Sequence, residues 1–104
     1  MNNIKFRLSL ILTKEDMKRL EFKEKDGEKE VIADVHGMKC CEAKRFINNI
    51  INLAREAIKL IVIHGYNHGT SIKTMITTEY SNPHVKSINT NIHNMGRTEI
   101  LVTA

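Results

Sequence analysis

Ala43, Phe46, Ile47, Ile50, Ile51 and Ala54 fall at i, i+3, i+4, i+7, i+8 and i+11, the spacing of one buried helix face. An extended apolar run flanks this helix on each side: VIADV at residues 31–35 and AIKLIVI at residues 57–63. The second run is almost unbroken, as expected for an interior strand of a parallel pair. A strand, a helix and a strand in this order predict two parallel neighbours joined by a right-handed crossover. The outer helix face carries Lys44, Arg45, Asn48, Asn49, Asn52 and Arg55, polar and basic.

The rest of the chain is read around that unit. Ile4, Phe6, Leu8, Leu10 and Leu12 recur at every second position, which predicts an N-terminal strand with one buried face. Thr13 can cap a short helix that carries Asp16 and Met17. The charged EFKEKDGEKEV segment reads as a solvated connection turning at Asp26 and Gly27. Downstream, residues 71–80 predict a second helix with Ile72, Met75, Ile76 and Tyr80 inward, ended by SNP at 81–83. Residues 85–92 and 99–102 predict two strands, joined by a hairpin that uses Gly96. The expected fold is therefore an α/β domain with a mixed sheet.

Composition narrows the class. A chain of 104 residues with 27% charged and 41% hydrophobic residues suits one globular domain. The formal net charge is +4; residues 1–30 hold eight Lys/Arg against seven Asp/Glu, and residues 31–104 eight against five. The positive excess, a weak attraction for polyanions, thus lies mostly with the histidine-bearing part. Cys40 and Cys41 are the only cysteines and, being adjacent, are poor disulfide partners, so a reducing compartment fits and packing is their expected role. No apolar run nears the roughly 20 residues that cross a bilayer, and LSLIL is broken at once by TKED. A cytoplasmic protein without membrane association is expected. With three Phe, two Tyr and no Trp, a stacking platform for single strands is disfavoured; Tyr66 is the one exposed candidate.

Two short clusters carry the chemistry: ADVHG at residues 33–37 and IHGYNHGT at residues 63–70. Each follows a strand and precedes a helix. If the strands are parallel neighbours, both clusters lie at the carboxyl edge of the sheet, where open α/β sheets place ligands. Asp34 and His36, two apart, share a side, so the carboxylate can orient the imidazole. His64 closes the second strand within reach of the same crevice. Two imidazoles and a carboxylate suffice for general acid–base work on a phosphodiester. Gly65 and Gly69, with Asn67 as the next best left-handed residue, permit tight turning and expose N–H groups to an anion. Thr70 and Ser71 can cap the second helix or bond a phosphate oxygen. Neither a Walker loop nor a GxGxxG fingerprint is present. His64 and His68 have the HExxH spacing, but Gly65 stands where glutamate is needed, so no metal ligands are assigned. On spacing alone a hydrogen-bonded turn remains the simplest use of each histidine. His84 and His93 fall in loop-like settings and read as structural or solvent-facing.

The paired elements ADVHG and IHGYNHGT resemble the Smr domain, a small module related to the carboxyl-terminal part of some MutS-type proteins. That family is marked by L-D-L-H-G and, one helix and one strand later, by H-G-x-G-x-G. Here Asp34, His36 and Gly37 match the first element, with Ala33 and Val35 in place of leucines. His64, Gly65 and Gly69 match the second, and Asn67 replaces its middle glycine. The resemblance covers residues 31–102 and leaves residues 1–30 aside. It implies a two-layer α/β sandwich with βαβαββ order over residues 31–104, similar to the carboxyl-terminal domain of a bacterial translation initiation factor. An N-terminal extension of strand, short helix and charged turn, residues 1–30, would precede it.

The resemblance also implies nucleic-acid binding and, in several members, endonuclease activity on RNA or DNA. It ties Asp34 and His36 to cleavage, and His64, Gly65 and Gly69 to substrate binding or fold integrity. On this reading His64 joins the catalytic set. Phosphates would meet the 65–71 loop, with Asn67, Thr70 and Ser71, and the basic side chains of Lys73, Lys44 and Arg45. RNA supplies its own 2′-hydroxyl nucleophile and needs no metal by this route; DNA would need an activated water, such as one on a divalent metal. Two rivals stand: a non-catalytic module that docks to RNA, DNA or a ribosome, and a protein-interaction domain using its helix faces.

Overall fold

The structure is a computed structural model that describes residues 2–65, 70–90 and 96–103. It is a mixed α/β fold with a five-stranded sheet. The elements run α1 (Asn2–Ser9), α2 (Lys14–Met17), β1 (Leu20–Lys25), β2 (Glu28–Asp34), α3 (Cys40–Ala54), β3 (Ile58–Ile63), α4 (Thr70–Thr74), a π-helical turn (Met75–Glu79), β4 (Val85–Thr90) and β5 (Arg97–Val102). Sheet order is β1-β2-β3-β5-β4. β2 and β3 are parallel; every other pair is antiparallel.

The crossover helix forms as its spacing predicts. Ala43, Phe46, Ile47, Ile50, Ile51 and Ala54 are all buried. Each fully buried isoleucine is worth about 1.5–3 kcal/mol over an exposed one. The Glu42 carboxylate accepts the Lys39 N–H at 3.3 Å and satisfies the helix start. Its far end stops where Arg55 turns left-handed, at φ 55°. Opposite it, Val31, Ala33, Leu60, Val62, Ile100 and Val102 supply the sheet side of the same core. Ile72, Met75, Ile76 and Tyr80 from the second helical segment join that core, as their spacing predicts. The Tyr80 hydroxyl donates to Asn48 Oδ1, and Asn82 Nδ2 donates to Asn52 Oδ1 at 3.1 Å. Part of the polar face of α3 is therefore a seam to the π-helical turn's exit.

The N-terminal strand does not form; residues 2–9 are helix. Ile4 and Leu8 are fully buried, whereas Phe6 and Leu10 are 64% and 67% exposed. Ile4, Leu8 and the partly buried Leu12 lie four apart, so one helical face serves the same apolar residues. Tertiary contacts select between the two periods. Arg7 Nε donates to the Leu53 carbonyl at 2.7 Å, and Arg7 Nη2 to that of Ala54, which caps the end of α3. Arg7 also lies 3.4 Å from Glu56, which pairs with Lys29. The Lys29 hydrogen bond, then the charges of Lys29 and Arg7, hold the Glu56 carboxyl below its ordinary range against the opposing cost of burial.

The charged segment read as a connection is a hairpin, and its first arm is β1. Leu20 and Phe22 pack against the core while Glu21 and Lys23 alternate with them. The turn itself is as expected: Asp26 and Gly27 both have positive φ, 52° and 82°. The boundary expected after residue 30 falls inside β2, and α1 shares the core with the rest. The joint between β4 and β5, residues 91–95 with His93, lies outside the described residues.

Candidate functional site

β2 ends at Asp34, and its partner β3 ends at Ile63 in register with it. The Val35 N–H still bonds the Ile63 carbonyl at 2.9 Å, after which the chain turns. Met38 N–H closes that turn on the Val35 carbonyl at 3.1 Å, and Gly37 takes φ 82° at its third position. A type II turn requires a left-handed residue there, which glycine supplies without steric cost. The turn fixes His36 over the end of β2.

Asp34 and His36 meet as their spacing predicts. Asp34 Oδ1 accepts both the His36 backbone N–H, at 3.2 Å, and the ring Nδ1. With Nδ1 donating to a carboxylate, Nε2 carries the free lone pair and faces outward on a ring that is 68% exposed. A methyl group placed on Gly65 would lie 3.9 Å from His36 Cβ, so the imidazole sits beside the second cluster's glycine. Gly65 has φ 81°.

His64 goes elsewhere. It is 1% exposed, turned between β3 and β5 toward the core. Its Nδ1 donates to the Gly65 carbonyl at 3.0 Å, which leaves Nε2 to accept the Thr98 hydroxyl at 2.9 Å. Both ring nitrogens are thus engaged. Burial pushes its pKa below the usual histidine value; the Gly65 carbonyl opposes that and the Lys73 charge adds to it. His64 is a neutral buried strut. Its backbone N–H and that of Gly65 converge on the Gly96 carbonyl at 2.9 and 3.2 Å, which ties β5 to the same edge.

The basic candidates separate. Lys44 and Arg45 are exposed on α3, but Arg45 lines a small cavity of about 130 Å³ together with Asp16 and Glu42. Lys73 is half-buried on α4 and close enough to depress His64. Ser71 is exposed, and its carbonyl accepts the Cys40 thiol at 3.7 Å, so the starts of α3 and α4 abut. Cys40 packs against the core as expected, whereas Cys41 is exposed. Asn67 and Gly69 lie outside the described residues, as do Tyr66, His68 and the side chain of Thr70.

Two residues of this neighbourhood were not legible as such. Thr98 falls just before the expected last strand, although T-x-I-x-V carries the alternation that buries it. Arg19 lies between the expected short helix and the charged connection; its Nη1 donates to the carbonyls of Asp34 and His36 at 3.1 and 3.3 Å. Nothing in the sequence near Arg19 marks it for this contact. Among the described residues no group of three or more His, Cys, Asp or Glu is placed to hold a metal ion. Among them no helix is long and apolar enough to cross a membrane. No family model, curated protein or solved structure matches the chain.

Proposed function

We propose that the chain is an Smr-like, two-layer βαβαββ domain that binds nucleic acid and cleaves RNA at its sheet edge. The observation that carries this reading is the Asp34 carboxylate gripping His36 through both its Nδ1 and its backbone N–H. That grip selects the tautomer whose Nε2 is free to take a proton and holds the ring in place. The neighbouring turn with Gly65, and Lys73 beyond it, support phosphate contact on the same edge.

In the reaction, His36 Nε2 removes the proton of a ribose 2′-hydroxyl. The 2′-oxygen attacks phosphorus, the bond to the 5′-oxygen breaks, and solvent water protonates that leaving oxygen. The products are a 2′,3′-cyclic phosphate and a 5′-hydroxyl. His64 takes no proton in this scheme. It positions the Gly65 turn, through its Nδ1 bond and its anchoring on Thr98.

A second reading, a docking module for RNA, DNA or a ribosome, is favoured by the openness of the site. The His36 side chain is 68% exposed, and an open edge suits docking as well as chemistry. End-labelled RNA and DNA of one sequence, incubated with wild type, Asp34→Asn and His36→Ala, separate the readings. The expected result is RNA cleavage by wild type that falls by about 10²- to 10⁴-fold in His36→Ala, with cyclic phosphate ends. Equal cleavage by all three removes the mechanism. Binding that weakens steeply with salt, without turnover, selects the docking module.

A further inference from the structure

Strand register brings two more residues to this edge. The Asp34 N–H bonds the Arg19 carbonyl at 2.9 Å, Asp34 pairs with Ile63, and Ile63 pairs with Arg97. Asp34, Ile63 and Arg97 alternate with the buried Ala33, Val62 and Thr98, so they lie on the sheet face away from the helices. Arg19 reaches the same row, with Nη1 on the Asp34 and His36 carbonyls. At about 4.8 Å per strand, the α carbons of Arg19 and Arg97 are roughly 14 Å apart, on opposite flanks of the Asp34 and His36 pair.

Their surroundings suit an anion. Among the described residues neither guanidinium forms an ion pair. Arg19 uses Nη1 on its two carbonyls, and the rest of its fork has no protein acceptor among them. Both side chains are half-buried, so each is held close to the sheet. A planar fork anchored in this way matches the oxygens of a phosphate. The next row of the face runs Glu21, Ile32, Ile61, Glu99. Glu21 there is paired with Lys23 at 3.7 Å, so Glu99 is the carboxylate of this row that opposes a polyanion.

We infer that Arg19 and Arg97 bind two phosphates of one RNA strand crossing the carboxyl edge of the sheet, with the bond to be cut lying over His36 between them. This rests on the phosphodiester reading above and adds a strand-borne pair to the loop and lysine contacts. Arg19 also positions the catalytic turn; Arg97, with no such tie, contacts the substrate alone.

The test is fluorescence anisotropy with a labelled single-stranded RNA and the DNA of the same sequence. It is run over a salt series in the His36→Ala chain, so that nothing is cut. Adding Arg97→Ala should weaken RNA binding about tenfold and lower the slope of log K against log salt by about 0.7. Arg97→Lys should restore the slope, and Lys86→Ala, an exposed lysine on β4, should change neither quantity. Arg19→Lys should keep the slope and lose affinity, and a thermal melt confirms that the fold is intact. If Arg97→Ala keeps the parent affinity and slope while wild type still cuts and His36→Ala does not, the pair is refuted and the cleavage reading stands. If the parent binds neither strand, both are refuted.

Discussion

Replacing Thr98 by valine tests whether His64 is a strut. Thr98 is fully buried and its hydroxyl donates to His64 Nε2 at 2.9 Å. Valine keeps the shape and removes the donor, which leaves a buried ring nitrogen without a partner at a cost of about 1–3 kcal/mol. For a domain of this size each kcal/mol moves Tm by about 4–8 °C, so the expected fall is roughly 4–24 °C. The same site makes stability depend on pH. Burial holds the His64 pKa below that of the unfolded chain, where histidine titrates near ~6.5. The unfolded chain therefore takes up the proton first. The His64 contribution is complete above about pH 6.5 and is lost as pH falls from there through the lower native pKa. Chemical denaturation from pH 8 to pH 5 on wild type and His64→Gln isolates it, because the other titrating groups cancel in the difference. That difference should be flat above pH 6.5 and shrink below it. A Thr98→Val chain that melts with wild type, or a difference that grows as pH falls, would refute the buried neutral histidine.

Further outcomes are expected. Leu8→Ala should cost about 2–5 kcal/mol in urea unfolding, whereas Phe6→Ala should stay within about 0.5; equal losses would argue for a strand at residues 2–9. Glu56→Gln should remove an acid-sensitive part of stability. The native Glu56 pKa is lowered by Lys29 and Arg7, so its contribution is present above the ordinary carboxylate range and vanishes as pH falls through the depressed value. Urea midpoints from pH 7 to pH 3 should therefore decline less in the variant. Gly65→Ala has room at 3.9 Å from His36 but must hold φ 81°, so it should lose about 1–2 kcal/mol in thermal unfolding.

Patterns whose period has one meaning were legible directly. The α3 stripe and the unbroken β3 run determined the crossover unit, because no other element buries residues at that spacing. Asp34 and His36 are two residues apart on one strand, so their meeting is local geometry, and it follows from the sequence. The N-terminal segment was ambiguous: Ile4, Leu8 and Leu12 satisfy a period of two and also one helical face. The choice was made by what each residue finds around it, namely the α3 core for Ile4 and Leu8 and the α3 carbonyls for Arg7. β1 was obscured by charges on its open face, although its inward Leu20 and Phe22 are apolar.

The sequence by itself thus determined an α/β crossover with an aspartate and a histidine at the end of its first strand. Only the tertiary structure decided that His64 turns inward to Thr98, and that Arg19 and Arg97 flank the pair. Those outcomes depend on strand register across segments up to 78 positions apart in the chain. No local period encodes a register; it emerges when the inward faces of all five strands are buried together.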